Sequence, residues 1–439
     1  MSVLNRFNFT FLFLAMQILL SFHTAAFAVT GHIPDAIIEL PEKENAIIVE
    51  KKTQTLYLYT HIGDNIAIDF KAPCSTGEID GVKQKAGDKK TPEGIYFLKD
   101  EYENKYLSAS YGEKAFPTDY PNFIDKKSGK NGSAIWIHGT NKKLKPRDSN
   151  GCVALDNFNI QKLSNYINLD VTPVIMVDTV KMASQESLAA HRNDINRMIS
   201  KWVHSLETGN YHDYLSFYSS KYLPDISWWT DWIVLRRKNQ SDKSDHILKI
   251  GENSVGIYYH DQVFVALFDY FLVFEKRKVF VGKRKFFLEH KEGRYKIIGD
   301  IFQKISKQFQ GEKTPLIAAA AIVTTPDKKD IILETVNQWL KAWSTKDMKE
   351  YASFYAKNFY SDGLRKKEWI TRKQHLARKY DYINVSGKKF RVKFKNQMCE
   401  VVFSQEYESS GFTTQGTKKL KFVNKGGVWK IYQEIWKGK

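Results

Sequence analysis

Apolar residues alternate with polar ones, or form short runs, at several points between residues 44 and 178. Runs of four or five residues, rich in Val, Ile, Tyr and Phe and bounded by turn-forming residues, are typical of β-strands. A helix is predicted from Asp156 or Asn157, because apolar residues then recur at helical spacing. The pattern predicts strands over residues 46–50, 55–59, 95–98, 134–137 and 173–177. This region is therefore expected to be mainly β.

The rest of the chain contains an internal repeat. Residues 202–218 align without gaps to residues 339–355, an offset of 137 (339 minus 202), with matching Trp, Thr, Tyr, Ser, Phe and Tyr positions. The two copies also end alike, at residues 293–297 and 427–431. Each copy opens with an amphipathic helix and continues into aromatic-rich, strand-like segments. We therefore predict two tandem α+β domains, each with a curved sheet around a helix.

These patterns divide the 439 residues into several domains, as a chain of this length requires. The segment between the copies carries Gly and Pro, which favours a linker. The expected divisions are a signal peptide at 1–28, a β-rich domain at 44–178, a first α+β domain at 185–306, a linker at 307–329 and a second α+β domain at 330–439.

The N-terminus predicts export. Arg6 precedes an apolar run that ends at Phe22, and Ala26-Phe-Ala28 then provides a cleavage site, as in a secretory signal peptide. The alternative is an uncleaved membrane anchor, for which the run is short. We expect the protein in the periplasm or cell envelope.

The composition is globular, with 42% hydrophobic and 26% charged residues, which excludes a disordered or collagen-like chain. The 67 basic and 49 acidic residues give a net charge of +18. Export argues against a nucleic-acid partner. An anionic wall or membrane polymer is the better electrostatic partner, and a merely soluble basic surface is the alternative.

One cysteine stands in a chemically informative setting. His138 ends a predicted strand, and Cys152 follows a short loop in which Gly151 permits close backbone approach. An imidazole that accepts the thiol proton makes a cysteine a strong nucleophile, and the amides around Gly151 and Cys152 are expected to face a developing oxyanion. The other reading of Cys152 is a small buried hydrophobe.

The motif His138-Gly139-Thr140, followed by Ser149-Asn150-Gly151-Cys152-Val153, resembles the signature of the L,D-transpeptidase (YkuD) catalytic domain. The resemblance covers residues 44–178, about a third of the chain. Further motifs of that family occur in order, namely Ser75-Thr-Gly77, Gly81-x-Lys83, Gly87-Asp88, Thr91-Pro-Glu-Gly94, Tyr120-Pro-Asn122 and Asp125.

The resemblance implies a β-sandwich-like domain and a cysteine mechanism on peptidoglycan stem peptides. Cys152 would attack a tetrapeptide stem and release D-Ala, His138 would act as its base, and the Gly139 carbonyl would orient the imidazole. Ser149, Asn150 and Gly151 complete the motif. Asn150 stands where the family usually has His, so transfer to an amine and hydrolysis, as in an L,D-carboxypeptidase, both stay open. Ala154 departs from the family pattern in the same way, because Arg is frequent at that position. Release of a lipoprotein from the wall is a third possible reaction of the same thiol.

The two α+β domains resemble nuclear-transport-factor-2-like (NTF2-like, cystatin-like cone) domains, and we refer to residues 185–306 as the first cone and 330–439 as the second cone. A YkuD domain followed by a cone resembles the cell-shape-determining L,D-carboxypeptidases, which carry one cone. Such cones hold ligands, so a protein or glycan ligand is one expectation. The alternative is that the repeated aromatic residues form only cores.

No cofactor and no metal are expected, because the 11 His residues show no ligand spacing. Cys74 is read as a buried thiol, with a regulatory disulfide to Cys152 as the alternative. A rival of another class is a non-catalytic wall-binding scaffold. Thiol labelling separates the two, because an activated Cys152 is expected to titrate at a depressed apparent pKa.

Overall fold

The structure is a computed structural model that describes residues 32–63, 65–239, 246–251, 254–275, 277–325 and 327–438. The predicted signal peptide at 1–28 lies outside the described residues. The chain forms two compact units that divide between Val323 and Thr324. The β-rich domain and the first cone belong to one unit, and the second cone forms the other.

The described residues up to Ser184 form twelve short strands and two α-helices, and nine of these strands lie within residues 44–178. The predicted strands at 46–50 and 173–177 are present, and the strand predicted at 134–137 begins instead at Trp136. The helices are α1 (Phe123–Lys127) and α2 (Asn157–Ser164). The strands are β1 (His32–Pro34), β2 (Ile37–Glu39), β3 (Ala46–Glu50), β4 (Thr55–Ile62), β5 (Asn65–Pro73), β6 (Gly94–Phe97), β7 (Tyr102–Glu103), β8 (Lys114–Pro117), β9 (Trp136–His138), β10 (Val153–Ala154), β11 (Pro173–Val177) and β12 (Met182–Ser184).

Two sheets build this domain. One has the order β5-β4-β3-β11-β6, with β3 and β11 parallel, and the other has the order β10-β9-β8-β7. Strand β3 is buried along its whole length because its side chains alternate between two cores. Ile47 and Val49 pack toward the sheet that carries β9 and β10, and Ile48 packs on the opposite side.

The first cone wraps a sheet around a long helix. Its sheet has the order β17-β16-β15-β14-β2, so the early strand β2 extends the sheet of the cone. Strand β13 pairs with β15. The elements are α3 (Gln185–Thr208), α4 (Tyr211–Ser216), α5 (Trp229–Asn239), β13 (His246–Ile250), β14 (Gly256–His260), β15 (Val263–Phe274), β16 (Arg277–Lys291) and β17 (Arg294–Ile305).

The segment expected as a linker, 307–329, differs from that expectation. It contains a 3₁₀ turn (Lys307–Phe309) and helix α6 (Pro315–Thr324). The apolar side of α6, including Leu316 and Ala319, is buried in the hydrophobic core of the first cone. Burial of an Ala-rich apolar helix outweighs the loop signal of the neighbouring Gly and Pro.

The second cone repeats this helix-then-sheet order. A four-stranded antiparallel sheet of order β20-β21-β22-β23 packs against helices α7 to α9, with one core between them. The elements are α7 (Lys328–Ser344), α8 (Met348–Ser353), β18 (Tyr360–Ser361), β19 (Leu364–Arg365), α9 (Lys366–Lys379), β20 (Ile383–Lys395), β21 (Met398–Ser409), β22 (Phe412–Lys425) and β23 (Val428–Gly438).

The repeat predicted from the sequence extends to backbone pairing. Tyr218 in the first cone makes an isolated parallel bridge to Ile297, and Tyr355 makes the same bridge to Ile431 in the second cone. The expected multidomain class, mainly-β followed by α+β, is confirmed.

Candidate active site

Neighbouring strands position His138 and Cys152. Strands β9 and β10 are parallel, and Ala154 pairs with His138. Cys152 lies two residues before Ala154, so it faces the same side of the sheet as His138 because side chains alternate with a period of two. Tyr111 lies beside both groups, and its ring centroid is 4.9 Å from that of His138. Burial raises the pKa of the Tyr111 hydroxyl, and a charge on Cys152 raises it further.

The imidazole of His138 is held by the peptide that follows it. Nδ1 lies 2.6 Å from the carbonyl oxygen of Gly139, so we assign the Nδ1 proton to this hydrogen bond, which leaves Nε2 as the free acceptor. The residue is only 8% exposed. Burial lowers the pKa of His138, with the Gly139 hydrogen bond acting in the opposite direction. The imidazole of His138 is therefore neutral at neutral pH.

A side chain at position 139 would press on the side chains around it. A Cβ atom there would lie 2.4 Å from Asn157 Oδ1 and 3.0 Å from Ile160 Cγ2. The Gly139 amide also donates to the carbonyl of Lys114 at 2.9 Å, which fixes the peptide whose oxygen holds the imidazole. The sequence motif at positions 138 and 139 thus has a packing reason as well as a chemical one.

The thiol of Cys152 is partly exposed and neutral in this resting arrangement. Its Sγ donates a hydrogen bond to the carbonyl of Ala134 at 3.3 Å. Burial raises the pKa of the thiol, against the lowering influence of the Trp136 backbone amide and the charge of Lys83. This direction is opposite to the depressed pKa expected from the sequence. A raised pKa means that Cys152 needs a base to become nucleophilic.

The loop before the thiol is closed by side-chain hydrogen bonds. Ser149 Oγ accepts from the Gly151 amide at 3.1 Å and donates to the Cys152 carbonyl at 2.7 Å. The Gly151 amide is therefore engaged, which differs from its expected place in an oxyanion hole. Asn150 is exposed at the loop surface.

Gly151 itself is held from the opposite side. Thr91 Oγ1 donates to the Gly151 carbonyl at 3.0 Å and accepts from the Gly77 amide at 2.8 Å. Gly151 has φ +122°, and a Cβ atom there would lie 2.7 Å from the Lys90 carbonyl oxygen. Residues of the motifs around 75–77 and 91–94 thus support the loop that carries Cys152.

An aromatic wall, which the sequence analysis did not predict, lies beside His138 and Cys152. Tyr111 packs on Trp136 with centroids 5.0 Å apart, and Trp136 stacks on Tyr102 at 5.6 Å. Trp136 precedes His138 by two positions in β9, so it faces the same side, which a strand pattern could have indicated. Tyr111 lies in an irregular segment with no pattern to reveal it.

Lys83 is a second residue whose electrostatic effect on the thiol was not predicted from the sequence. It is 3% exposed and its Nζ donates to Asp88 Oδ1 at 2.7 Å and to the Lys85 carbonyl at 3.1 Å. Although burial acts to raise it, the pKa of Asp88 is well below its usual value because Lys83 and three backbone amides donate to the carboxylate. The buried ammonium contributes positive potential at the thiol.

The other cysteines lie in cores. Cys74 and Cys399 are each 2% exposed, and burial raises the pKa of Cys74 to about 12. All three cysteines are free thiols, so Cys74 and Cys152 form no disulfide in this structure.

The described residues include no group of three or more His, Cys, Asp or Glu side chains arranged to hold a metal ion. None of the helices in this part of the chain is both long enough and apolar enough to span a bilayer.

A groove of about 820 Å³ lies between the β-rich domain and the first cone. Its walls include Glu93, Asp125, Lys130 and His260, and neither Cys152 nor His138 lines it. Cys152 and His138 therefore lie outside this groove.

Two family models match parts of the chain. Residues 44–176 match the L,D-transpeptidase catalytic domain (YkuD), and residues 331–435 match the Cds6 C-terminal NTF2-like domain. YafK of Escherichia coli (strain K12), a protein named as an L,D-transpeptidase, is 30% identical over 122 residues, which are 28% of this chain and 46% of YafK. The chain thus spans about half the length of the curated relatives it matches.

Two solved structures also resemble the chain. The helical cell shape determining protein Pgp2 from Campylobacter jejuni is 24% identical, with a TM-score of 0.46, over 61% of this chain and 95% of that one. Bd1075 from Bdellovibrio bacteriovorus is 21% identical, with a TM-score of 0.34, over 93% and 99%. The resemblance inferred from the motifs is confirmed by the family models. The chain therefore contains an L,D-transpeptidase (YkuD) catalytic domain at residues 44–176 and an NTF2-like domain at residues 331–435.

Proposed function

We propose that this chain is an exported cysteine acyl transferase that acts on peptidoglycan tetrapeptide stems, with Cys152 as nucleophile and His138 as base. The observation that carries the proposal is the fixed imidazole: Nδ1 is engaged by the Gly139 carbonyl, and His138 shares one sheet face with the thiol. The L,D-transpeptidase family acts on peptidoglycan stem peptides, which gives the substrate class.

The proposed first step follows from the protonation states. His138 Nε2 takes the proton from Cys152 Sγ, and the sulfur attacks the carbonyl carbon of the third stem residue. The carbon–nitrogen bond to the terminal D-Ala then breaks, and the imidazolium returns the proton to the leaving amine. The product is a thioester at Cys152 and free D-Ala.

The surroundings support this step in two ways. The aromatic wall of Tyr102, Tyr111 and Trp136 provides an apolar surface on which a peptide can be held close to the thiol. The charge of Lys83 favours the thiolate once the proton has left, because an opposite charge stabilises it.

The thioester has two candidate acceptors. An amine from a neighbouring stem gives a crosslink, as in a transpeptidase, and water gives a tripeptide, as in an L,D-carboxypeptidase. Hydrolysis is supported by Ala154, which stands where the family often has Arg and therefore offers no charged side chain to an amine acceptor. Ala154 is buried and its backbone pairs with that of Ser75. Asn150, exposed beside the thiol, likewise lacks the imidazole usual in the family.

The test is incubation of the purified protein with disaccharide-tetrapeptide muropeptides, followed by mass spectrometry of the products. The proposal predicts loss of D-Ala, with dimers indicating transfer to an amine and tripeptides indicating hydrolysis. Cys152→Ala must abolish both, while Cys74→Ala, a buried thiol in the same domain, is the matched control for loss of a sulfur atom. Unchanged turnover in Cys152→Ala would refute the proposal, and absence of any product from the wild type would favour a non-catalytic scaffold.

A further inference from the structure

The sheet of the second cone has a face that turns away from its helices. Side chains alternate between the two faces of a strand, and on β21 Val401 and Phe403 are buried in the core while Glu400 and Val402 are partly exposed. Cross-strand pairing extends this second set to the neighbouring strands, for example from Glu400 to Lys421 on β22. We call this side of the sheet the outer face of the second cone.

The outer face is basic. Its exposed or partly exposed cations include Lys388, Arg391, Lys393 and Lys395 of β20 and Lys419 and Lys421 of β22. Glu400 pairs with Lys419 at 3.1 Å, and Glu406 pairs with Lys388 at 3.3 Å. In the described part of the chain these are the ion pairs that the six cations form. Most of the positive charge on β20 is therefore uncompensated.

Two hairpin turns lie side by side at one end of this face. The turn between β20 and β21 and the turn between β22 and β23 are joined by a backbone hydrogen bond of 2.8 Å. Met398 and Val428, at these turns, are 49% and 52% exposed. Lys395 pairs across the strands with Met398, and Lys425 pairs with Val428. Each exposed apolar side chain thus stands beside an exposed lysine.

The first cone provides a second copy of the same face for comparison. A buried ion pair gives the alignment, because Arg284 with Asp300 corresponds to Lys418 with Glu434 at a constant offset of 134 (418 minus 284, and 434 minus 300). In each cone the carboxylate also accepts a hydrogen bond from the repeated tyrosine at the parallel bridge. Strands β22 and β23 can therefore be compared residue by residue with β16 and β17.

The outer face of the first cone is an apolar interface. Phe287, which corresponds to Lys421 (421 minus 134), is 1% exposed, and its ring stacks on Phe123 of the β-rich domain with centroids 5.7 Å apart. Ile298, which corresponds to Tyr432 (432 minus 134), is 9% exposed in the same core. This side of the fold therefore serves to dock on a neighbour. In the second cone the same side is basic, so charge complementarity requires an anionic partner for it.

We propose that the outer face of the second cone docks on the surface of an anionic phospholipid bilayer. Lys393, Lys395 and Lys421 contact lipid phosphate groups, and Met398 and Val428 enter the boundary between headgroups and acyl chains. The cations gain attraction to the anionic surface, and the exposed apolar side chains gain burial from the same contact.

The apolar side chains at the hairpin turns decide between two kinds of anionic partner. A wall polymer offers anions to the lysines but no apolar layer for Met398 and Val428. A bilayer offers both in adjacent layers, to side chains that lie at one end of one sheet. Docking uses neither Cys152 nor His138, so this inference goes beyond the proposed function.

The test is co-sedimentation of the protein with vesicles of phosphatidylcholine alone, or of phosphatidylcholine with about one-third phosphatidylglycerol. The chain is used from Val29 onward, which retains all described residues and removes the apolar run of the predicted signal peptide. Binding to the anionic vesicles only is expected, and it should fall as NaCl rises from about 0.05 to about 0.5 M because salt screens exposed charges. Equal binding to both vesicle types, or to neither, overturns the proposal.

Paired variants test the lysines of β20. Lys393→Gln combined with Lys395→Gln is expected to weaken binding about tenfold or more, because each lysine near an anionic surface contributes to the attraction. Lys393→Arg with Lys395→Arg retains the charge and the binding. Lys201→Gln with Lys238→Gln removes the same charge from exposed helix positions of the first cone and is expected to change binding by less than about twofold. An equal loss in this control overturns the outer face as the docking site.

The apolar contribution and the location are tested separately. Met398→Ser with Val428→Ser leaves the net charge unchanged and is expected to weaken vesicle binding severalfold. Vesicles are also expected to slow amide hydrogen exchange in peptides that span residues 393–400 and 423–430, and protection confined to other segments overturns the location. Sedimentation with purified wall sacculi but not with anionic vesicles overturns the bilayer in favour of a wall polymer. Failure of the muropeptide assay leaves these results intact, because docking requires no catalysis.

Discussion

The ring of Tyr111 meets the imidazole of His138 edge-on, with centroids 4.9 Å apart and planes at 74°. This contact, with the Gly139 hydrogen bond, fixes the plane of the proposed base. We predict that Tyr111→Ala lowers kcat/KM about 10- to 100-fold, because the His138 imidazole and the substrate peptide both lose their contact with the aromatic ring. Tyr111→Phe retains the ring and is expected to stay within about threefold of the wild type. Steady-state D-Ala release measures both, and equal losses in the two variants would assign the role to the hydroxyl instead.

The resting protonation states give a pH profile. Burial lowers the pKa of His138 from its ordinary 6.5, and the proposed base acts in its neutral form, which is populated above that pKa. The acid limb of kcat/KM is therefore expected below pH 6.5, with activity retained at neutral pH. The measurement is kcat/KM between pH 4 and 9 in buffers of constant ionic strength. An acid limb above pH 7 would contradict the assignment of a buried neutral imidazole.

Gly151 is predicted to tolerate no side chain. Gly151→Ala combines φ +122° with a Cβ 2.7 Å from the Lys90 carbonyl oxygen. We expect a loss of about 2 kcal/mol or more in the free energy of unfolding, together with loss of activity. Gly129→Ala is the control, because Gly129 has φ +73° but open space around its Cβ position. Urea denaturation followed by circular dichroism compares them, and equal stabilities would show that the loop yields.

The equivalent tyrosines of the two cones give a paired prediction. Tyr218→Phe and Tyr355→Phe each remove a buried hydroxyl that joins an indole N–H to a carboxylate. Each is expected to cost about 1–3 kcal/mol in the unit that contains it. Differential scanning calorimetry measures both, and each variant should shift a different transition. A substitution without effect would show that its hydroxyl is replaceable, for instance by water.

The residues of the proposed site could be named from the sequence, whereas the residues that surround them could not. His138, Gly139 and Cys152 lie in one local motif, so their identities were available without tertiary information. The positions of Tyr111 and Lys83 depend on loops whose packing no periodic pattern records. The engaged amide of Gly151 likewise follows from the Ser149 side chain, which sequence spacing alone does not place.

The fold shows the same division. Strands such as β3 and β11 followed from apolar runs, and the repeat predicted the α+β order of the two cones. The helix within 307–329 was not predicted, because the Gly and Pro residues around it were read as a linker, although its Ala-rich sequence favours a helix and its apolar side is buried in the first cone. Strand β2 was missed because it is only three residues long and is stabilised by pairing with β14.

The most direct test of the central claim is capture of the acyl-enzyme. The protein is mixed with a tetrapeptide muropeptide, quenched in acid within milliseconds to seconds, digested and examined by mass spectrometry. The account predicts an adduct with the mass of the donor minus D-Ala on the peptide that contains Cys152, absent from Cys152→Ala and depleted in His138→Gln. Product release without any adduct at Cys152, or an adduct on another residue, would contradict it.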